Sequence, residues 1–237
     1  MNSCTSAAAK FDVSRADEYA EQSRIALAGY DACHDLVACM LAASLGTGGA
    51  ARILVAGAGG TGQEIIAAAR LEPGWAYTAV DPSAPMLQLA MANIAAAGLQ
   101  ARTRTVAGTV DDLPMGPDYD AATLIGVLHH VPDDADKRAL LESIAVRLAP
   151  GAPFVLACNY RHYTDQPLLL AAWRERWRQQ GAAPAEVQAK LDKIRHGAVP
   201  PESEAALFAL LAEAGFDTPL RFFSSLFWGA WIMRRKP

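Results

Sequence analysis

The sequence predicts an α/β fold, doubly wound around a mostly parallel sheet. Three observations carry this reading. Short apolar runs such as Ile53–Val55 and Phe154–Ala157 lack period-two alternation, as strands buried on both faces do. Those runs alternate with helical segments from residue 53 to residue 157. After Asn159 the strand signal stops, and it returns only in two aromatic-rich runs at the end of the chain.

Each element follows from local pattern. Residues 1–10 are small and polar, a composition expected to fray. Residues 12–46 form an N-terminal helical cap: Tyr19, Ile25, Leu27, Leu36, Val37, Met40 and Leu41 recur at three- and four-residue spacings, with a break at Gly29-Tyr30. A glycine-rich loop at 46–51 leads into the first strand, 53–55. Helix 63–70, strand 76–80, helix 84–97, strand 102–106, strand 121–125 and helix 134–148 follow. Pro150-Gly151 turns the chain into the fifth strand, 154–157. Residues 160–200 are a helical insert, two helices broken near Gly181 and Pro184. Helix 203–214 stops at Gly215, and the runs 220–225 and 227–233 suit a closing antiparallel hairpin, making seven strands in one domain spanning 1–237.

Composition narrows the function. The chain has 237 residues, 52% hydrophobic and 19% charged, enough apolar content for a large core and too much for extensive disorder. Net charge is −4, which argues against a broad basic surface for nucleic acid without excluding a local groove. The cysteines Cys4, Cys33, Cys39 and Cys158 form no CxxC pair, so no zinc site or disulfide framework is read and a reducing cytoplasm fits. No basic start followed by an apolar stretch opens the chain, and no apolar run approaches 20 residues, so neither a signal peptide nor a membrane partner is expected.

The strongest local signal is ILVAGAGGTGQEI, residues 53–65. A buried strand enters a glycine loop and then a helix, whose N-terminal N–H groups can receive a polar or anionic group. Gly57, Gly59 and Gly62 match GxGxxG, and Asp81 lies 19 residues after Gly62 at the end of the next strand, suited to two ribose hydroxyls. A dinucleotide and S-adenosylmethionine both fit that geometry.

Later segments separate the two. VAGAGGTG (55–62), AVDPSAPML (79–87), AGTVDDLP (107–114), YDAATLIGVLHHVPD (119–133), LAPGAPFVLA (148–157) and LAEAGF (211–216) together resemble the class I S-adenosylmethionine-dependent methyltransferases, whose fold is Rossmann-like. The resemblance covers nearly the whole chain. It implies that Gly57, Ala58 and Gly59 line the methionine part of S-adenosyl-L-methionine and that Asp81 binds the ribose. It implies that Pro82 and Met86 pack near the adenine, with Thr109, Val110 and Asp111 at the adenine edge. Ile125 and Gly126 would lie beneath the sulfonium. Two departures stand out: Val55 and Ala56 occupy strand positions that often carry an acid, and Thr109 stands where Asp is common. The ammonium must then be held by backbone carbonyls or another side chain.

Within the superfamily the layout looks most like the carboxy-S-adenosylmethionine synthase branch, which serves tRNA wobble uridine modification. The match rests on GYD (29–31), the insert and the ending AGF…FFSSLFWGAW. That resemblance implies that Tyr30 and Tyr19 reach over the cofactor. The branch's carboxylate-gripping Arg aligns with Leu191, with Lys190, Lys193 or Arg195 as substitutes that solvation also explains. The main expectation is methyl transfer to O, N or S of a small-molecule acceptor. The alternatives are the carboxylated cofactor and a cofactor-binding homologue without catalysis.

Methyl transfer is an in-line displacement in which positioning supplies much of the catalysis, and a base is needed only for a poorly ionised acceptor. His129, His130 and His162 follow strand ends, where ligands bind, and are the candidate bases; a structural role for each stays open. Tyr160, Arg161 and Tyr163 share that edge. His34 reads as packed or surface-facing. Trp173, Trp177, Phe227 and Trp228 could wall a substrate pocket or pack the insert as a lid. The C-terminal aromatics could also form a homodimer face, though core packing explains them equally well.

Overall fold

A computed structural model describes residues 16–237. The expected fraying of residues 1–10, and Cys4, lie outside the described residues. Two helices come first, α1 (Ala16–Ala26) and α2 (Tyr30–Leu45). The alternating body follows: β1 (Arg52–Ala56), α3 (Gln63–Leu71), β2 (Ala76–Asp81), α4 (Ala84–Ala96), β3 (Thr103–Ala107), β4 (Ala121–Ile125), α5 (Asp134–Ala145) and β5 (Pro153–Asn159). The insert supplies α6 (Pro167–Gln179) and α7 (Pro184–Gly197). The end supplies α8 (Glu204–Glu213), β6 (Leu220–Ser225) and β7 (Trp228–Arg234).

The seven strands form one sheet in the order β3-β2-β1-β4-β5-β7-β6. The first five are mutually parallel, and β7 pairs antiparallel with both β5 and β6. Successive residues of β1 feed opposite layers: Leu54 and Ala56 pack with α5 and α8, whereas Ile53 and Val55 pack with α2, α3 and α4. The strand order reverses between β1 and β4, and the crevice beyond their carboxyl ends is where an open α/β sheet binds ligands.

The local signals behave as their chemistry requires. Asp133 caps α5 by accepting from the Asp136 N–H at 2.8 Å, and Ser203 caps α8 by accepting from Ala206 at 3.1 Å. Gly215, at φ +91°, follows the C-cap of α8. Helix α5 ends at Ala145 rather than Leu148, because Leu148 leaves the helix to bridge Tyr119 in parallel.

The insert covers the carboxyl end of the sheet by docking on α1. The Trp173 indole N–H donates to Ala26 O at 2.8 Å, Arg176 to Arg24 O at 3.0 Å, and Lys190 to Gln22 Oε1 at 2.7 Å. Trp177, Val187 and Leu191 bury an apolar patch against Ile25. Of the C-terminal aromatics, Phe227 and Trp231 are fully buried and Trp228 is 9% exposed, so these three pack the core, while Phe222 and Phe223 are half-buried. No single helix among the described residues is long and apolar enough to cross a membrane.

Candidate active site

A cavity of about 370 Å³ opens beyond the ends of β1 and β4. Its floor is Gly57, Gly59, Thr61 and Glu64, with Ile125 and Gly126 from the end of β4. Helices α1 and α2 contribute Tyr19, Leu27, Tyr30 and His34. The opposite end is walled by His129, His130, Asn159, Tyr163 and Trp228, and Trp173, Lys193 and Ile194 reach in from the insert.

Glycine is required twice in the loop by the protein itself. Gly57 has φ +70°, and a Cβ there would collide with Val127. Gly60 has φ +106°, and a Cβ there would strike the ring of Tyr19, which lies against the loop. Tyr30 ties α2 to the same loop through a 2.5 Å hydrogen bond with Thr61 Oγ1.

Four successive loop amides, Gly57 to Gly60, are engaged inside the protein. The Gly57 and Ala58 N–H groups donate to Val80 O at 2.8 and 3.0 Å, and that of Gly60 to Met86 O at 2.9 Å. The Gly59 N–H donates to Asp81 Oδ2 at 2.9 Å. At the start of α3 the Gln63 N–H donates to Thr61 Oγ1, and Glu64 engages its own backbone N–H. A pyrophosphate needs just such N–H donors at a helix N-terminus, and here it would also meet the Glu64 carboxyl. The expected supply of unpaired N–H groups is therefore reduced at Gly57 to Gly60 and at Gln63, which disfavours a dinucleotide.

The structure distributes the sequence-predicted residues unevenly. Tyr19, Tyr30, Gly57, Gly59, Ile125 and Gly126 line the cavity. Ala58 does not; its methyl is buried in the core between the sheet and α3. Asp81 lies behind Gly59, accepting from it and from the Ser83 N–H at 2.8 Å, and each oxygen keeps acceptor capacity. Burial raises its pKa above the usual carboxylate value, against those two N–H bonds. Met86 is buried, Pro82 is exposed, and neither lines the cavity. Val110 is a core residue, and Thr109 is tied to Asp112 by its N–H at 2.7 Å. Asp111 is turned toward α5, where it accepts from Ser143 Oγ at 2.5 Å and lies 3.8 Å from Arg147. Asp111 therefore has a structural tie through Oδ1, and it does not line the cavity.

The histidines also separate. His129 is buried and aligned by two contacts: its Nδ1 accepts the Asn159 N–H at 3.4 Å, and its ring meets Trp228 edge-on. Burial, reinforced by His130, drives its pKa well below the ordinary value. A neutral ring that accepts at Nδ1 carries its proton on Nε2, so His129 is set up as a donor rather than a base. His130 has the opposite polarity, donating from Nδ1 to Gly197 O at 3.5 Å, which leaves the Nε2 lone pair in the neutral ring. His162 is exposed and off the cavity. Tyr160 is buried against Trp231 instead of facing a ligand.

Of the insert residues offered for the carboxylate-gripping position, Leu191 packs on Ile25 and Trp177, and Lys190 is held by Gln22 and Glu186. Only Lys193 of this group reaches the cavity. The sequence reading missed Glu64, Thr61 and Asn159, and gave His34 no ligand role. Glu64 reads as an ordinary first-turn acid, which helix N-termini favour. Asn159 is 2% exposed; its amide N–H donates to Tyr163 Oη at 2.8 Å, and among the described residues neither its Oδ1 nor the Trp228 Nε1 has a partner.

A glycine loop leading from β1 into α3, an acid at the end of β2 and a covered cavity at the switch point define a Rossmann-like fold with a candidate ligand site. Residues 55–154 match the family model described as a methyltransferase domain. Among curated proteins, none matches the chain. Solved structures share the fold. The 1,6-didemethyltoxoflavin-N1-methyltransferase of Burkholderia thailandensis, solved with 1,6-didemethyltoxoflavin and S-adenosylhomocysteine, is 22% identical, covers 95% of this chain and 88% of its own, and has a TM-score of 0.62. A candidate O-methyltransferase of Nostoc punctiforme is 20% identical with a TM-score of 0.63 over 86% of this chain, which spans 56% of that protein. The mitomycin 7-O-methyltransferase MmcR is 21% identical with a TM-score of 0.60, covering 86% of this chain and 54% of its own. The chain thus spans little more than half the length of several such relatives. It carries a stretch, residues 55–154, that matches a methyltransferase-domain model, on a fold it shares with these structures.

Proposed function

We propose that the protein transfers a methyl group from S-adenosylmethionine to a small, flat acceptor held under the insert. The observation that carries this reading is the single cavity joining the glycine loop to an aromatic chamber. Its residues fit the cofactor. The Gly57 to Gly60 amides are engaged within the protein, Asp81 retains acceptor capacity for ribose hydroxyls, and Glu64 supplies an acid where a cationic group would sit. When bound, the cofactor supplies an electrophilic methyl on a sulfonium. The protein's part is to hold the acceptor in line with it and keep water out.

Trp173, Tyr163 and Trp228 present ring surface to the acceptor half, which suits an aromatic or heteroaromatic molecule and not a nucleic-acid strand. For a hydroxyl or ring N–H acceptor, His130, which lines the cavity with its Nδ1 toward Gly197 O, is the candidate base. The neighbours named for mitomycin and a toxoflavin precursor support this substrate class. The scattered free thiols Cys33, Cys39 and Cys158 support a reducing, cytoplasmic setting.

Calorimetric titration with S-adenosylhomocysteine, followed by a methylation screen over phenolic and N-heteroaromatic acceptors, tests the proposal. Binding that Asp81→Ala abolishes, with turnover on at least one acceptor, is the expected result. Tight NAD binding in place of S-adenosylhomocysteine would refute it.

A further inference from the structure

The acid missing from β1 leaves the ammonium of the cofactor without an obvious counter-charge, since Val55 and Ala56 are buried in its place. Glu64 lies one helical step beyond the glycine loop, is 9% exposed and lines the cavity with Gly57, Gly59, Tyr19 and Tyr30. Its only ion-pair candidate among the described residues is His34, whose Nε2 is 3.8 Å from Glu64 Oε2. That ring is no cation. His34 Nδ1 donates to Tyr30 O at 2.8 Å, which points the lone pair of the neutral ring at Glu64, and burial lowers the His34 pKa. The other titratable groups facing Glu64 are Tyr19, Tyr30, Cys33 and Asp81, none of which carries positive charge.

A buried carboxyl with no cationic partner among the described residues, on the wall of a ligand cavity, is a site for a ligand cation. We propose that Glu64 is the counter-charge that holds the α-ammonium of the cofactor's methionine moiety, displaced from the strand to the first turn of α3. The assignment rests on the methyltransferase reading above. Burial holds the empty carboxyl near pKa 7, so engaging an ammonium requires it to release a proton at neutral pH.

The test compares three ligands on the full chain by calorimetry: S-adenosylhomocysteine, its deaminated analogue and 5′-methylthioadenosine. Wild type is expected to favour S-adenosylhomocysteine over the deaminated analogue by about tenfold or more, the scale of a charge-assisted hydrogen bond. Glu64→Gln should erase that preference and leave 5′-methylthioadenosine affinity unchanged. A variant that keeps the wild-type preference, or weakens all three ligands alike, overturns the assignment while the methyltransferase reading stands. Failure of wild type to bind any of the three overturns that reading and the assignment with it. Wild type alone gives a second readout. In two buffers of different ionisation enthalpy at pH 7, proton release should accompany S-adenosylhomocysteine but not the deaminated analogue, and equal proton counts for both would refute the assignment.

Discussion

Replacing Glu64 by Gln should stabilise the ligand-free protein, and only at neutral and alkaline pH. Burial raises the Glu64 pKa from 4.5 to about 7. The folded state therefore binds this proton more tightly than the unfolded state does. Between those two values the unfolded chain has lost the proton and the folded one keeps it, so stability falls as pH rises through the window. At about 1.4 kcal/mol per unit, a shift of this size costs roughly 3 kcal/mol once pH exceeds the folded value. Gln keeps the shape and the polar amide but has no proton to lose. Urea unfolding of both proteins at pH 5 and pH 8 isolates the effect, since every other titrating group is common to the pair. The variant's advantage should grow by about 3 kcal/mol between the two conditions, a shift on the order of 6–12 °C in Tm for a chain of this size. A difference that stays constant from pH 5 to pH 8 would show that Glu64 is solvated and ionised in the fold, and the electrostatic account of the cavity would fail.

Four other outcomes follow from particular contacts. Asp111→Ala should leave S-adenosylhomocysteine affinity unchanged, because the carboxylate is engaged by Ser143, whereas Asp81→Ala should weaken it more than tenfold; calorimetry on both decides. Ring ¹⁵N chemical shifts should show His129 as the neutral Nε2–H tautomer throughout pH 6–8, and protonation in that range would refute its buried placement. Trp173→Phe removes the bond to Ala26 but keeps a ring, so denaturant unfolding should report a loss of about 1 kcal/mol. Gly57→Ala combines positive φ with a collision against Val127 and should cost more than 1 kcal/mol, on the order set for strained non-glycine residues.

The sheet was legible because each parallel strand is buried on both faces and therefore reads as a continuous apolar run; β1, β2 and β4 fall within a residue or two of the predicted spans. The glycine-loop half of the cavity was legible for a related reason. Gly57, Gly59 and Asp81 sit at strand ends, where topology alone fixes their position. The reading faltered where hydrogen bonding, not sequence position, decides a role. Asp111 looks like a ligand acid until Ser143 and Arg147 are seen to hold it. His129 and His130 are adjacent in sequence, yet opposite tautomers separate them, and no pattern of residue types carries that information. Glu64 was hidden by its ordinariness. First-turn acids are common on exposed helices, and only the packing of α1 and α2 over α3 reveals that this one is buried.

The contacts between α1 and the insert also bear on how such a protein can acquire new substrates. Ala26 O and Arg24 O belong to the last turn of α1, where helical carbonyls lack partners of their own, and it is Trp173 and Arg176, some 150 positions away in sequence, that satisfy them. The terminus of one segment is thus completed by the other. Grafting a foreign insert onto this scaffold to change acceptor choice would strip α1 of its stop signal and loosen Tyr19 and Leu27, which border the ligand. The two segments form a single exchangeable cassette, and swaps that move them together should succeed where exchange of either alone gives a frayed, promiscuous mouth.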